Sequence, residues 1–287
     1  MFLRVTHLSR YDYSRPVSFD PHALYLRPRE TPRQRLHNFS LAIAPAARVV
    51  TTCDMQENPL DCAYFAPDLT ASRLEFRTEF LVETLDANPF DFLLKPSALA
   101  FPFAYDPAES FALAPCLTPP ADPAALRTWL GRHLPDPPRE TISFLTALNG
   151  AVRQSLLYNR RDEPGIQSAA TTLALGSGTC RDYAVLFIEL CRLHGLASRF
   201  VSGYLYEAPP ASGAPLPPPA MHAWAEVYLP GAGWRGLDPT HGVFCDDAFI
   251  PVAHAALADT VNPVQGKFYS PTPATSSLHH ELTLERL

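Results

Sequence analysis

Long apolar runs are missing from this 287-residue chain. Nothing approaches the roughly 18 uninterrupted apolar residues of a membrane-spanning helix, so no membrane association is expected. Lysine is almost absent, Lys95 and Lys267 being the only two, and the net charge is −6. With no positive field to hold a phosphate backbone, nucleic acid is not an expected partner. The segment Met1 to His7 lacks a charged stretch followed by an apolar one, which points to a cytoplasmic chain without an export signal. Close cysteine pairs are lacking too. Cys53, Cys62, Cys116, Cys180, Cys191 and Cys245 include no Cys-x-x-Cys, so neither a zinc ribbon nor the disulfide framework of a small secreted domain is indicated, and free thiols are expected. The His241 to Cys245 cluster lacks two further ligands at a recognisable spacing, so no metal and no cofactor are expected.

What is there is a globular balance, 47% apolar and 18% charged, outside the range of a disordered chain. Residues 1 to about 85 alternate apolar and polar side chains, as in Leu3 to Leu8 and Leu74 to Val82, which predicts strands. Prolines then accumulate from Asp86 to Pro123 and forbid long regular elements. Helices are predicted at about Pro123 to Leu134, Glu140 to Tyr158 and from Cys180 onward. Strands follow near 199–206, 222–229, 234–237 and 282–284, with Pro209 to Pro219 read as a surface loop by composition. The reading is an α+β chain: a β-rich N-terminal domain over 1–105, a Pro-rich connector to about 122, and a second domain over 123–287.

The segment from Gly178 to Gly195 carries the most chemistry. Thr179 suits a helix N-cap, with Asp182 completing a weak capping box. Cys180 then sits in the first turn, where the helix end stabilises a thiolate. Helical projection sets Arg181, Asp182, Glu189 and Arg192 on one arc, and Cys180, Ala184, Phe187 and Cys191 on the apolar arc. Cys191 lies roughly 16 Å along the helix and cannot bridge to Cys180. In His222 to Leu229, period-two alternation puts His222, Trp224, Glu226 and Tyr228 on one face. Pro230 to Gly233 makes the turn, and Trp234 to Pro239 returns as the second arm of a hairpin. Asp238 shares a face with His222 only if that turn contains an odd number of residues or a bulge.

Together these blocks resemble the transglutaminase-like cysteine enzyme superfamily. The resemblance rests on Gly178-Thr179-Cys180-Arg181-Asp182-Tyr183, Arg199-Phe200-Val201-Ser202-Gly203-Tyr204, His222-Ala223-Trp224-Ala225-Glu226-Val227-Tyr228 and Gly233-Trp234-Arg235-Gly236-Leu237-Asp238-Pro239-Thr240. Upstream, His7, Tyr11, Tyr13, Pro16 and Val17 resemble the β-rich N-terminal domain of a bacterial branch. That branch has an Asp, an aromatic and Gly-Asn where this chain has Asp54-Met55-Gln56-Glu57-Asn58. It also has Gly-Arg-Asp-Tyr where this chain has Ala253 to Asp259.

The resemblance implies a papain-like core of helices packed on an antiparallel sheet. Cys180 is then the nucleophile, His222 the general base and acid, and Asp238 the orienting group. It further implies acyl transfer from peptide or glutamine-type amides through a thioester, resolved by water as a peptidase or amidohydrolase, or by an amine as a transglutaminase. A peptide or protein substrate is expected. Tyr183 and Trp224 are expected beside the acyl channel, and Tyr158 or Trp129 as second oxyanion donor. The competing reading is a non-catalytic peptide-binding module on the same fold.

Overall fold

The computed structural model describes residues 1–161, 165–209 and 218–287. Most of the predicted Pro209 to Pro219 loop lies outside the described residues.

The first part is all strand: β1 (Phe2–Phe19), β2 (His22–Leu24), β3 (Gln34–Ala44), β4 (Arg48–Cys53), β5 (Pro59–Tyr64) and β6 (Ala71–Thr84). After the proline-rich stretch, which holds only the short α1 (Pro107–Ala112) and two 3₁₀ turns, come α2 (Pro123–His133) and α3 (Thr141–Ser155). Next are β7 (Leu157–Tyr158), α4 (Ala169–Leu175), β8 (Ser177–Gly178) and α5 (Cys180–Leu193). The chain continues through β9 (Ser198–Leu205), β10 (Met221–Leu229), β11 (Gly233–Asp238), β12 (Val243–Phe244) and β13 (Phe249–Ala255). It finishes with β14 (Val264–Gln265), β15 (Phe268–Tyr269) and β16 (Ser276–Arg286).

The central layer is an antiparallel sheet in the order β12-β11-β10-β9-β13. Helix α5 lies across it, burying Phe187, Leu186 and Leu190. A second sheet builds on β1, which pairs with β6 on one side and with β16 on the other from Leu3↔Arg286 to Tyr13↔Ser276. The third, β14-β2-β5-β4, closes the far end.

The expected second domain therefore extends too far. Residues 264–286 return to pair with β1 and β2. The physical reason is that β1 is long and would otherwise present an open hydrogen-bonding edge, and pattern alone carries no code for which strand fills it. The two halves also share one core, in which Leu3, Val5, Phe80 and Val82 join Phe187, Phe200 and Tyr204.

Polar side chains stitch the same junction. The inward alternation of β1 brings His7 against Tyr204, ring nitrogen to hydroxyl at 3.0 Å, and Ser9 against the other nitrogen at 3.1 Å. Burial lowers the His7 pKa to about 4, so this bridge is a neutral imidazole. Asn58 is fully buried and makes two bonds to the backbone of His254, at 2.8 and 2.9 Å. The unusual Asp54 to Asn58 turn thus docks onto β13.

Candidate active site

Cys180 is the first residue of α5 and is 9% exposed. Its position is set by the segment before it. Helix α4 ends at Gly176, whose φ of 62° is the left-handed cap conformation, and β8 then pairs in parallel with β7. At Gly178 a Cβ would lie 2.8 Å from the Cβ of Asp182, so only glycine brings the strand this close to the helix start.

Asp182 corrects the helical projection, which set it on the polar arc: it is fully buried. Arg161 Nη2 donates to both its oxygens, at 2.9 and 3.0 Å, and the Gln167 N–H donates to one of them at 2.7 Å. The Thr179 N–H and hydroxyl donate to the other, at 2.8 and 3.0 Å. A carboxylate supplied with that many donors is stable without water. It ties Arg161, Gln167 and Thr179 to the first turn of the helix that begins with Cys180.

His222 lies on β10 and Asp238 ends β11. The hairpin between them pairs Leu229 with Gly233, leaving a three-residue loop. That odd number places the two side chains on one face, and His222 Nε2 meets Asp238 Oδ2 at 2.8 Å. Nδ1 is then the ring nitrogen left for Cys180, whose side chain hydrogen-bonds the imidazole. Burial works against a charged His222, but the bonds to Asp238 and Cys180 outweigh it and push its pKa up to about 10. Burial likewise opposes the Asp238 carboxylate, yet His222 and His241 hold it well below the usual range.

His241 was not foreseen as part of this group. The chain turns tightly after Asp238, with Gly242 N–H bonding the Asp238 carbonyl at 2.7 Å. This brings His241 Nδ1 to the same Oδ2 at 2.6 Å, while Thr240 N–H takes Oδ1 at 2.8 Å. The Asp-Pro-Thr-His-Gly run was the available clue. Among the described residues, His222, Asp238 and His241 are the group compact enough to hold an ion, their ligating atoms lying within 4.8 Å of one another. Imidazole–carboxylate hydrogen bonding alone accounts for that spacing.

The aromatic expectations divide. Trp224 and Tyr183 are each 2% exposed and pack rather than line a channel. Trp224 stacks beneath the His222 ring and against Phe249, and its ring edge approaches Gly203, where a Cβ would strike it at 2.7 Å. Trp129 is buried in α2, stacked on His133. Tyr158 is 57% exposed. Burial raises its pKa, and Cys180 lies near enough to raise it further.

Residues 132–239 match the model of the transglutaminase-like superfamily, and residues 3–83 match that of the bacterial transglutaminase-like N-terminal region. An uncharacterised protein of Mycobacterium tuberculosis is 29% identical over 93% of this chain and 87% of its own length. One of Mycobacterium leprae is 25% identical over 95% of both. The crystal structure of a candidate cysteine protease from Cytophaga hutchinsonii superposes on 100% of this chain and 91% of its own, with a TM-score of 0.72 and 18% identity. That likeness fixes the fold, an α+β arrangement of transglutaminase-like type.

Proposed function

We propose, from the premise that this chain belongs to the transglutaminase-like superfamily and carries its bacterial N-terminal region, that it is a cysteine acyl-transfer enzyme acting on peptide or glutamine-type amides. The observation that carries this reading is the order Cys180, His222 Nδ1, His222 Nε2, Asp238 Oδ2, closed by a 2.8 Å bond between largely buried side chains.

In this reading the imidazolium of His222 faces a sulfur at a helix N-terminus, and both features stabilise a thiolate. The sulfur attacks the amide carbonyl. The resulting oxyanion meets the backbone N–H of Cys180 and the hydroxyl of Tyr158 as donors. His222 delivers its Nδ1 proton to the departing amine, leaving a thioester on Cys180. Asp238 keeps the ring oriented while its charge changes. Water or an amine, deprotonated by the now neutral His222, then attacks the thioester and frees Cys180. We favour water, and hence peptide or isopeptide hydrolysis, because Tyr158 and His241 leave the mouth of the site partly open to solvent.

Brief iodoacetamide treatment across pH 5 to 9, with peptide mapping of all six cysteines, tests the proposal. Cys180 is expected to label ahead of the others, and His222→Ala to slow that labelling by about tenfold or more. Labelling of Cys180 no faster than exposed Cys53, and insensitive to His222→Ala, would favour a non-catalytic binding module.

A further inference from the structure

Asp238 serves two imidazoles. Its Oδ2 accepts from His222 Nε2 at 2.8 Å and from His241 Nδ1 at 2.6 Å, while Oδ1 accepts the Thr240 N–H at 2.8 Å. The carboxylate is fully buried and held ionised. An ionised carboxylate only accepts, so both facing ring nitrogens carry protons. The reaction proposed above uses the bond to His222 alone, although the bond to His241 is the shorter.

His241 is partly exposed, its side chain 40% open to solvent, but the turn that carries it is fixed from α3. Arg153 Nε donates to the His241 carbonyl at 3.0 Å, and Asn149 Nδ2 donates to the Val243 carbonyl at 3.0 Å. Between these two anchors Gly242 has φ 73°, and a Cβ there would lie 2.9 Å from Arg153 Cδ. The imidazole is thus delivered to Asp238 by a clamped segment. Around it, the His222 ring lies 5.4 Å away, centroid to centroid, and Glu207, beyond β9, comes within 3.8 Å of Nε2. Cys180 on α5 and Tyr158 on β7 stand near the same pair of residues.

Resting on the acyl-transfer reading above, we propose that His241 is a positioning residue for that reaction: it fixes the Asp238 carboxylate from the 239–243 turn and, by sharing Oδ2, limits how tightly Asp238 holds the His222 proton. The strength of a hydrogen bond follows the basicity of its acceptor. A second N–H on the same oxygen stabilises the carboxylate charge and lowers that basicity, so each imidazole is held less firmly than it would be alone. His222 has to release its proton to the departing amine, and an acid that binds its proton too tightly transfers it slowly. His241 therefore keeps Asp238 oriented while restraining its pull.

The two parts of this role predict opposite changes when His241 is removed. Loss of the sharing raises the proton affinity of His222, whereas mere loss of orientation lowers it. Carbon-13 histidine NMR on the full chain reads the difference, with the His222 signal identified by its loss in His222→Gln. The titration is done in a Cys180→Ala background, because thiol and imidazole titrate as a coupled pair when both are present. His241→Ala and His241→Phe should each raise the His222 midpoint by about 0.5 to 1 pH unit, the scale of one hydrogen bond. Phe keeps a ring beside His222 but has no N–H to give. His241→Asn, whose side-chain amide can donate from the place of Nδ1, should reverse most of that rise. An unmoved or lowered midpoint overturns the proposal. So does a rise with Ala alone, which would trace the effect to lost packing, or a rise that Asn leaves in place. Iodoacetamide labelling of wild-type Cys180 reports separately on the acyl-transfer reading. An activated Cys180 beside an unmoved His222 midpoint sinks only this inference, whereas an inert Cys180 sinks that reading whatever the titration shows.

Discussion

His222 shows how much one residue's surroundings alter its chemistry. Its folded pKa of about 10 stands above the ordinary 6.5, so the folded state binds the proton more tightly than the unfolded chain. The resulting stabilisation is present in full below about pH 6.5 and is lost as pH rises through about 10. Thermal unfolding should therefore show wild type losing stability between about pH 8 and pH 10 more steeply than His222→Gln; parallel slopes would contradict the proposed charge on His222. Cys180, His222 and Asp238 were legible because each sits in a block with its own pattern: a capped helix start, an alternating strand, an Asp-Pro after a glycine-rich turn. His241 and the buried side of Asp182 were not. Both depend on hydrogen bonds across a turn or a loop, with Arg161 and Asp238 as partners, and hydrophobic periodicity is blind to such bonds.

Elements with strong periodicity or caps, α2, α3 and α5, form where the sequence sets them, except that α3 ends at Ser155 and Tyr158, expected as its last residue, lies on β7. Helix α4 escaped notice because seven residues give too little periodicity, although Ser168 caps it through the Thr171 N–H at 3.1 Å. Strand β13 was hidden by Pro251, a residue that argues against a central strand. The sheet accommodates it at the edge, with a register shift between Pro251 and Ala253. The β4–β5 turn holds an element-scale prediction. Glu57 there has φ 60°, a left-handed conformation costly for a residue with a Cβ. Glu57→Gly should stabilise the protein by about 0.5 to 1 kcal/mol, the strain relief being partly offset by added unfolded-state freedom. Chemical denaturation measures it, and a loss of stability would show that the Glu57 side chain contributes more than its strain costs.

At the scale of the whole molecule, the first strand depends on the last. The strand character of both halves was readable, but the long-range pairing of β1 with β16 was not, since local sequence carries no address for a distant partner. Deleting residues 276–287 removes the ladder from Leu3↔Arg286 to Tyr13↔Ser276 and uncovers the edge of β1. The melting temperature should fall by at least about 5 °C, and the truncated chain should associate through the bared edge, seen as a concentration-dependent rise in scattering. An unchanged melt and a monomeric truncation would mean that β16 is only draped on the sheet. The same pairing gives the molecule a timetable. During synthesis Cys180, His222 and Asp238 are all made before β16, the partner for which β1 waits. A nascent chain stalled before the eleven residues of β16 are complete thus carries Cys180 together with an unpaired, adhesive strand, a combination that the cell's quality control has to meet.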